Sequence, residues 1–276
     1  MKLATFNVNG INARLAALTD WLKSSGVDAV ALQETKTVDE QFPEKALAEA
    51  GYDTFFTGQK SYNGVALLVR RGSFKSTVLA AKGIPSYPDP SARTIAVAFE
   101  ELTGKKWTFI GSYFPNGKEV GCDKYLYKLD WIAALTNWLR SLTEKKEDLV
   151  LAGDFNIAPT DADVWNPESW RGNILVSAPE RDAYYGLLNT GLIDLWEKLP
   201  HTAGTYSWWD YRKQGFEKNQ GLRIDHILAT ANPASRLSDI LIDTAPRAAD
   251  RPSDHAPVIA VFDGPREGEL FQADCF

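Results

Sequence analysis

Four apolar runs in the sequence end at, or begin from, an acid or an amide. The run 3–6 leads into Asn7, the run 30–33 into Glu34, and the run 149–153 into Asp154, with Asn156 two residues on. Asp254 and His255 directly precede the run 256–262, and a fifth acid, Asp225, lies inside the apolar segment 223–229. A single strand-end carboxylate carries little weight, because Asp and Asn also cap helices and open turns. Asp225 is harder to dismiss, since an unpaired charge within an apolar strand costs several kcal/mol. It requires an imidazolium, a guanidinium or a metal ion beside it. The sequence has only three histidines, and an Asp225–His255 pair would both satisfy the carboxylate and fix the imidazole's orientation. The ligands on offer are hard oxygens and one imidazole, with no thiolate cluster. That set suits Mg²⁺ or Mn²⁺ and not a structural zinc. With Asn7, Asp154 and Asn156 suited to orient a water and a phosphate, the chemistry indicated is metal-assisted phosphoryl displacement. Nucleophilic-serine chemistry is disfavoured because no G-x-S-x-G elbow occurs, and P-loop nucleotide hydrolysis because no Walker A motif does.

Residues at the ends of apolar runs need strands to carry them. Strands are predicted at 3–8, 27–33, 65–71, 94–101, 107–114, 149–155, 224–229, 240–243 and 257–262, from short β-rich runs between Gly, Pro and Asn punctuation. A hairpin is expected across 102–106, where Thr103 and Gly104 suit the turn. Helical spacing predicts helices at 14–25, capped by Asn12 and stopped by Gly26, and at 43–50, 125–142 and 179–190. Hairpins mixed with helical crossovers indicate two packed sheets with helices outside. One α/β domain is expected over 1–262, with 263–276 as a surface tail.

Composition bounds the alternatives. A hydrophobic content of 44%, with 9 Trp, 10 Tyr and 13 Phe, provides for a large aromatic core and argues against disorder. No apolar run approaches the roughly 20 residues that cross a bilayer, and the start MKLATFNVNG turns polar too soon for a signal peptide. The expectation is a cytoplasmic, soluble monomer without a membrane partner. Cys122 and Cys275 alone make neither a disulfide framework nor a zinc spacing. The net charge of −6 counts mildly against nucleic acid, but acids gathered around a metal pull the total down, while the ion supplies positive charge where the phosphate sits.

Seven segments carry a likeness: FNVNGI (6–11), LQETK (32–36), YFPNG (113–117), GDFNIAPTD (153–161), SWWDYR (207–212), GLRIDHIL (221–228) and PSDHAPV (252–258). In this order they resemble the exonuclease III family of DNA repair nucleases, within the endonuclease/exonuclease/phosphatase superfamily. The resemblance covers nearly the whole chain, from Asn7 to Val258. It implies a four-layer α/β sandwich with the site at one edge of two packed sheets. It also implies hydrolysis on the 5′ side of abasic sites and 3′-end trimming of duplex DNA, with Mg²⁺ or Mn²⁺. By motif position, Glu34 resembles the principal metal ligand, with Asn7 close by and Asp254 as a second metal-side carboxylate. Asp154 would act on the attacking water, and Asn156 would hold it or the phosphate, both near the metal. His255, steadied by Asp225, would donate to the scissile phosphate, and Tyr113 would set its phenol against the phosphate or leaving group.

Residues beside these motifs give the expected DNA contacts. Lys36, Arg93, Asn116, Lys124, Lys128, Arg212 and Arg223 are candidates for phosphate contacts, which fix register without reading sequence. Trp208, Leu222 and Ile224 align with the family's apolar pocket for an extruded sugar, although plain core is the competing reading for all three. Two departures stand out. Abasic-site-cleaving members usually carry a small residue shortly before the segment matching SAPER (177–181), where this chain has Leu175 or Val176. A bulky side chain there would narrow the sugar pocket and favour 3′-end processing. Asn9 replaces an acid that strengthens the metal site in some relatives. Two rival readings follow from the same core: a phosphatase or phosphodiesterase acting on a small phosphoester, and a catalytically dead DNA-binding domain.

Overall fold

A computed structural model describes residues 1–263; beyond Asp263, the expected tail lies outside the described residues. The strands in chain order are β1 (Lys2–Asn7), β2 (Ala29–Gln33), β3 (Tyr52–Thr57), β4 (Val65–Arg70), β5 (Ser76–Lys82), β6 (Thr94–Glu100) and β7 (Lys106–Tyr113). After these come β8 (Leu149–Asp154), β9 (Ile193–Asp194), β10 (Trp208–Trp209), β11 (Gly221–Leu222), β12 (Asp225–Ala229), β13 (Leu237–Ile242) and β14 (Val258–Phe262). The helices are α1 (Leu15–Ser25), α2 (Glu44–Glu49), α3 (Asp123–Glu144), α4 (Pro167–Trp170), α5 (Ala178–Leu188) and α6 (Ala231–Ser235).

Twelve of the strands form two six-stranded sheets, ordered β13-β14-β1-β2-β4-β3 and β9-β12-β8-β7-β6-β5. The two sheets share one wiring. In each, a parallel central pair, β1 with β2 or β7 with β8, is flanked on both sides by antiparallel neighbours. A helix joins each parallel pair, α1 in the first sheet and α3 in the second, as a parallel crossover requires.

Alternation along the strands sorts the side chains into layers. Leu3, Ala29, Ala31 and Leu67 face the second sheet, where they meet Val97, Phe109, Val150 and Ile227. Their neighbours Ala4, Phe6, Val30, Leu32, Ala66 and Leu68 face outward under Leu18, Trp21, Leu22 and Leu47 of α1 and α2. On the far side, Ile110, Leu149, Leu151 and Leu228 pack under Trp131, Leu135 and Leu139 of α3 and Tyr184 and Leu187 of α5. The result is the expected helix–sheet–sheet–helix sandwich. The inner faces approach closely at Gly111, where an added Cβ would lie 2.9 Å from that of Ala31. Full burial of each leucine in these layers contributes about 1.5–3 kcal/mol.

Differences from expectation fall at edges and caps. β3 and β5 were not foreseen; both are edge strands, and β5 turns most of its residues to solvent, so its sequence has no apolar alternation to read. Asn12 is not a helix cap. It lies in a short 3₁₀ turn ahead of α1 and donates to Thr37 Oγ1 at 3.2 Å. Gly26 does end α1, at a left-handed φ of +61°. No helix among the described residues is long and apolar enough to cross a membrane.

Candidate active site

The shared wiring brings the ends of both central strand pairs to one rim of the sandwich. Asn7 ends β1, Asp154 ends β8, Tyr113 ends β7, Glu34 follows β2, and Asp225 opens β12. His255 lies ahead of β14 and bridges to Trp208. Several residues here leave their strands through left-handed backbone: Asn9 at φ +46°, Glu34 at +52°, Lys36 at +53° and Asn156 at +50°. Such conformations persist where surrounding contacts over-determine them, and they cluster at functional sites.

Asn7 is fully buried and ties the two sheets' carboxylates together. Its Nδ2 donates to Glu34 Oε1 and to Asp154 Oδ2, both at 2.9 Å, while its Oδ1 accepts the Asn9 N–H. Behind it, Asp225 Oδ2 accepts His255 Nδ1–H at 2.8 Å and the Ser207 hydroxyl at 2.7 Å. That arrangement aims His255 Nε2 toward Asp154 Oδ2, 3.7 Å away. Asp225 Oδ1 is buried with no hydrogen-bond partner. Ser207 and Ser253 were missed from sequence. The Ser207 hydroxyl also takes the N–H groups of Ile224 and Asp225, and Ser253 Oγ donates to the Asn7 carbonyl at 2.6 Å while accepting the His255 N–H. Neither serine adjoins an apolar run in a way that marks it as more than a loop residue.

The electrostatics follow from burial and crowding. Burial draws the His255 imidazolium down, but Asp225 and Asp154 more than reverse this and set it at about 10. Burial raises the Asp154 carboxyl; His255 draws it back, Asp225 pushes it up again, and the balance is about 7. Burial, then the charges of Glu34 and Asp154, hold the Tyr113 phenol well above its ordinary value. One donor atom each from Glu34, Asp154 and His255 lie within 4.8 Å of one another. Two carboxylates this close, one of them raised chiefly by burial, make a donor set that fits a hard divalent cation. His255 Nδ1 donates to Asp225, which leaves its Nε2 turned toward the carboxylates of the cluster. Asp254 stands apart from the three. Its oxygens accept from Asn9 Nδ2 at 2.9 Å and Trp208 Nε1 at 3.0 Å.

The expected DNA contacts divide. Lys36 reaches Glu34 Oε2 at 2.8 Å. Arg93 stacks over the Tyr113 ring at 5.0 Å and donates to the Tyr113 carbonyl. Asn116 is exposed, with its Nδ2 on Asn156 Oδ1 at 3.0 Å, and Asn156 Nδ2 reaches the Phe114 carbonyl. Lys124 is exposed in the first turn of α3, and Arg212 is exposed while paired with Asp210. All five keep some solvent exposure, Lys36 and Arg93 only in part. Lys128 and Arg223 do not, and are corrections. Lys128 is wholly buried against Glu180. Arg223 is 2% exposed and paired with Asp163 at 2.6 Å and Asp194 at 3.1 Å. Both charges are spent inside the protein. Leu222 and Ile224 are buried with Ala158, Val164, Leu175 and Val176, and Trp208 packs half-buried against them.

Comparison with known proteins gives the same picture. The chain matches the Endonuclease/Exonuclease/phosphatase family over residues 4–255. It is 36% identical over 270 residues to exodeoxyribonuclease III of Haemophilus influenzae, covering 95% of this chain and 100% of that protein. Among solved structures it is similar to the 3′ phosphatase NExo from Neisseria bound to product DNA hairpin, with TM-score 0.85 and 39% identity over 96% of this chain and 100% of that one. It is also similar to an AP endonuclease from Archaeoglobus fulgidus, with TM-score 0.87 and 35% identity over 96% and 100% of the two chains. The chain therefore belongs to the endonuclease/exonuclease/phosphatase family.

Proposed function

We propose that this chain is a Mg²⁺- or Mn²⁺-dependent phosphodiesterase of DNA repair, acting as a monomeric catalytic domain over residues 1–262 on duplex DNA in the cytoplasm. The observation that carries this reading is the Glu34, Asp154 and His255 cluster, bridged by Asn7 and backed by Asp225. Likeness to an exodeoxyribonuclease III and to a DNA-bound 3′ phosphatase supports DNA as the substrate. Glu34 and Asp154 would hold the cation, with Asn7 bridging the two carboxylates. When bound, that ion stabilises the negative charge that develops on the phosphoryl oxygens.

The remaining roles belong to the chain's own groups. Asp154 takes a proton from the attacking water as its oxygen bonds to phosphorus and the bond to the leaving O3′ breaks. In the metal-free site burial raises this carboxyl to about 7; a cation beside it would favour the ionised form that accepts the proton. Asn156, fixed by Asn116 and the Phe114 carbonyl, orients the water or a phosphate oxygen. His255, protonated and held by Asp225, donates to the scissile phosphate, a preorganised donor of the kind that stabilises developing charge. Tyr113, with its phenol kept neutral, donates to the phosphate or the leaving oxygen. Lys36, Arg93, Asn116, Lys124 and Arg212 contact the DNA backbone.

Substrate preference turns on Leu175. One of the two residues at the small-residue position, it holds φ +74°, a conformation glycine takes freely and leucine does not. Its side chain is 4% exposed and shares one apolar cluster with Leu222 and Ile224, against Trp208. A filled pocket supports 3′-end processing over incision at internal abasic sites. The test is a panel of duplexes with Mg²⁺ or Mn²⁺, carrying an internal tetrahydrofuran lesion, a recessed 3′ end, a nick or a 3′-phosphate. Release at 3′ ends with slow internal incision is expected. Fast internal incision would overturn the preference, and activity confined to a soluble phosphoester would overturn the DNA assignment.

A further inference from the structure

Lys128 and Glu180 form an ion pair with both side chains at 0% exposure, Nζ lying 2.5 Å from Oε1. An ammonium carries three donors, and each is used here. Besides Glu180, Lys128 reaches the main-chain carbonyl of Asn156 at 2.7 Å and that of Asn116 at 3.3 Å. These are the two residues whose side chains bond to each other at the site. Glu180 is equally committed. Its Oε1 also accepts the Leu175 N–H at 3.1 Å, and its Oε2 accepts the N–H and hydroxyl of Ser177, closing the capping box of α5. The Ser177 hydroxyl meets the Tyr125 phenol at 2.8 Å, and the Leu175 carbonyl accepts the Ala158 N–H at 2.8 Å.

The pair thus grips two left-handed backbone positions, Asn156 at φ +50° and Leu175 at +74°. Unfavourable conformations of this kind last only where neighbouring contacts enforce them. Stability alone does not account for burying an ion pair here, because a well-packed apolar pair of similar volume is often as stable or more so. A cap for α5 does not need Lys128 either. What Lys128 adds is its hold on two carbonyls, which lie directly beneath two side chains at the candidate reaction centre.

We propose that the Lys128–Glu180 pair is a positioning device, anchoring the backbone under Asn116 and Asn156 and coupling that anchor to the Leu175 wall of the apolar pocket. This rests on the phosphodiesterase reading and deepens it. Lys128 touches no substrate; it acts through Asn156. Displacing a positioning contact by about 1 Å can cost 10²-fold in rate, so the larger loss belongs in kcat, through Asn156, and the smaller in DNA affinity, through Asn116.

The test uses Lys128→Met and Lys128→Arg in the full chain. Lys128→Met is expected to lower kcat by about 10²-fold, with a smaller loss of duplex DNA affinity through Asn116, and to shift the side-chain amide NMR signals of Asn116 and Asn156. Lys128→Arg is expected to recover part of the rate. If Lys128→Met does not fold, the double variant Lys128→Met with Glu180→Gln removes both charges together and is read in the same way. Unchanged kcat in folded protein, or a loss carried by KM and Kd alone, would overturn the proposal. A wild type that cleaves no DNA would defeat the phosphodiesterase reading alone, and the amide signals would still decide the positioning claim.

Discussion

Two histidines are buried within a few residues of the same rim, and they are tuned in opposite directions. His226, 1% exposed, faces a cation: its Nδ1 accepts from Arg223 at 3.0 Å and its Nε2 donates to the Ile157 carbonyl at 2.8 Å. Burial, then the Arg223 charge, hold it below its ordinary value. It is packed between Phe155 and Tyr184 as a neutral spacer. His255, 3% exposed, faces two carboxylates and is raised to about 10. Burial is nearly equal, so it is the sign of the neighbouring charge that separates a structural imidazole from a proton-donating one. The same contrast holds for their partners. Arg223 has every near neighbour matched to it by Asp163, Asp194 and Glu197, whereas Asp225 keeps one oxygen without a partner beside the candidate metal ligands.

That contrast can be broken by substitution. His255→Ala removes the donor and strands Asp225, and cleavage is expected to fall by about 10²–10⁴-fold in single-turnover assays with folded protein. A negligible change would assign His255 to structure. Arg223→Met should act on stability instead, costing about 3–5 kcal/mol because it leaves buried acids uncompensated, as read from urea unfolding. The salt dependence of DNA binding should not change, whereas losing a true phosphate contact would flatten its slope by about 1. A flatter slope would restore Arg223 to the DNA interface. His226→Phe leaves an Arg223 N–H and the Ile157 carbonyl unpaired, at about 1–3 kcal/mol each, with the cleavage rate per folded molecule preserved.

In their dependence on pH the two histidines have opposite signs. In metal-free protein His255 is raised from 6.5 to about 10. The stability it contributes is complete below the unfolded value and is lost as pH rises through about 10. Asp154, raised from 3.8 to about 7, loses its contribution in the same sense at lower pH. His226 is lowered, so it costs stability as pH falls below its unfolded value of 6.5. Thermal melts in chelator from pH 5 to about pH 10 should therefore show an alkaline loss that His255→Ala abolishes and an acid loss that His226→Phe relieves. Parallel curves for wild type and His255→Ala would contradict the shift assigned to His255.

Asn7, Glu34, Asp154, Asn156, Asp225 and His255 could be read from sequence because strand ends and an acid inside an apolar run mark positions where a charge must be explained. The sandwich was legible for a related reason: buried strands such as β2 and β8 are nearly continuous apolar runs. Lys128 and Arg223 were misread because sequence reports charge but not the acid that will be folded against it; Glu180 is 52 positions from Lys128 and Asp163 is 60 from Arg223. Ser207 was invisible for the same cause, since its hydroxyl matters only once β12 brings Asp225 to it. The edge strands β3 and β5 lacked the burial pattern that reveals a strand.

In the proposed reading, Glu34 helps hold a divalent cation on which DNA cleavage depends. Calorimetric titration of Mg²⁺ or Mn²⁺ into wild type and Glu34→Ala, paired with cleavage of a recessed duplex, tests it most directly. Metal binding and metal-dependent cleavage are expected in the wild type, with both lost in a Glu34→Ala variant whose melting curve shows it folded. Retention of both in that variant would contradict the reading.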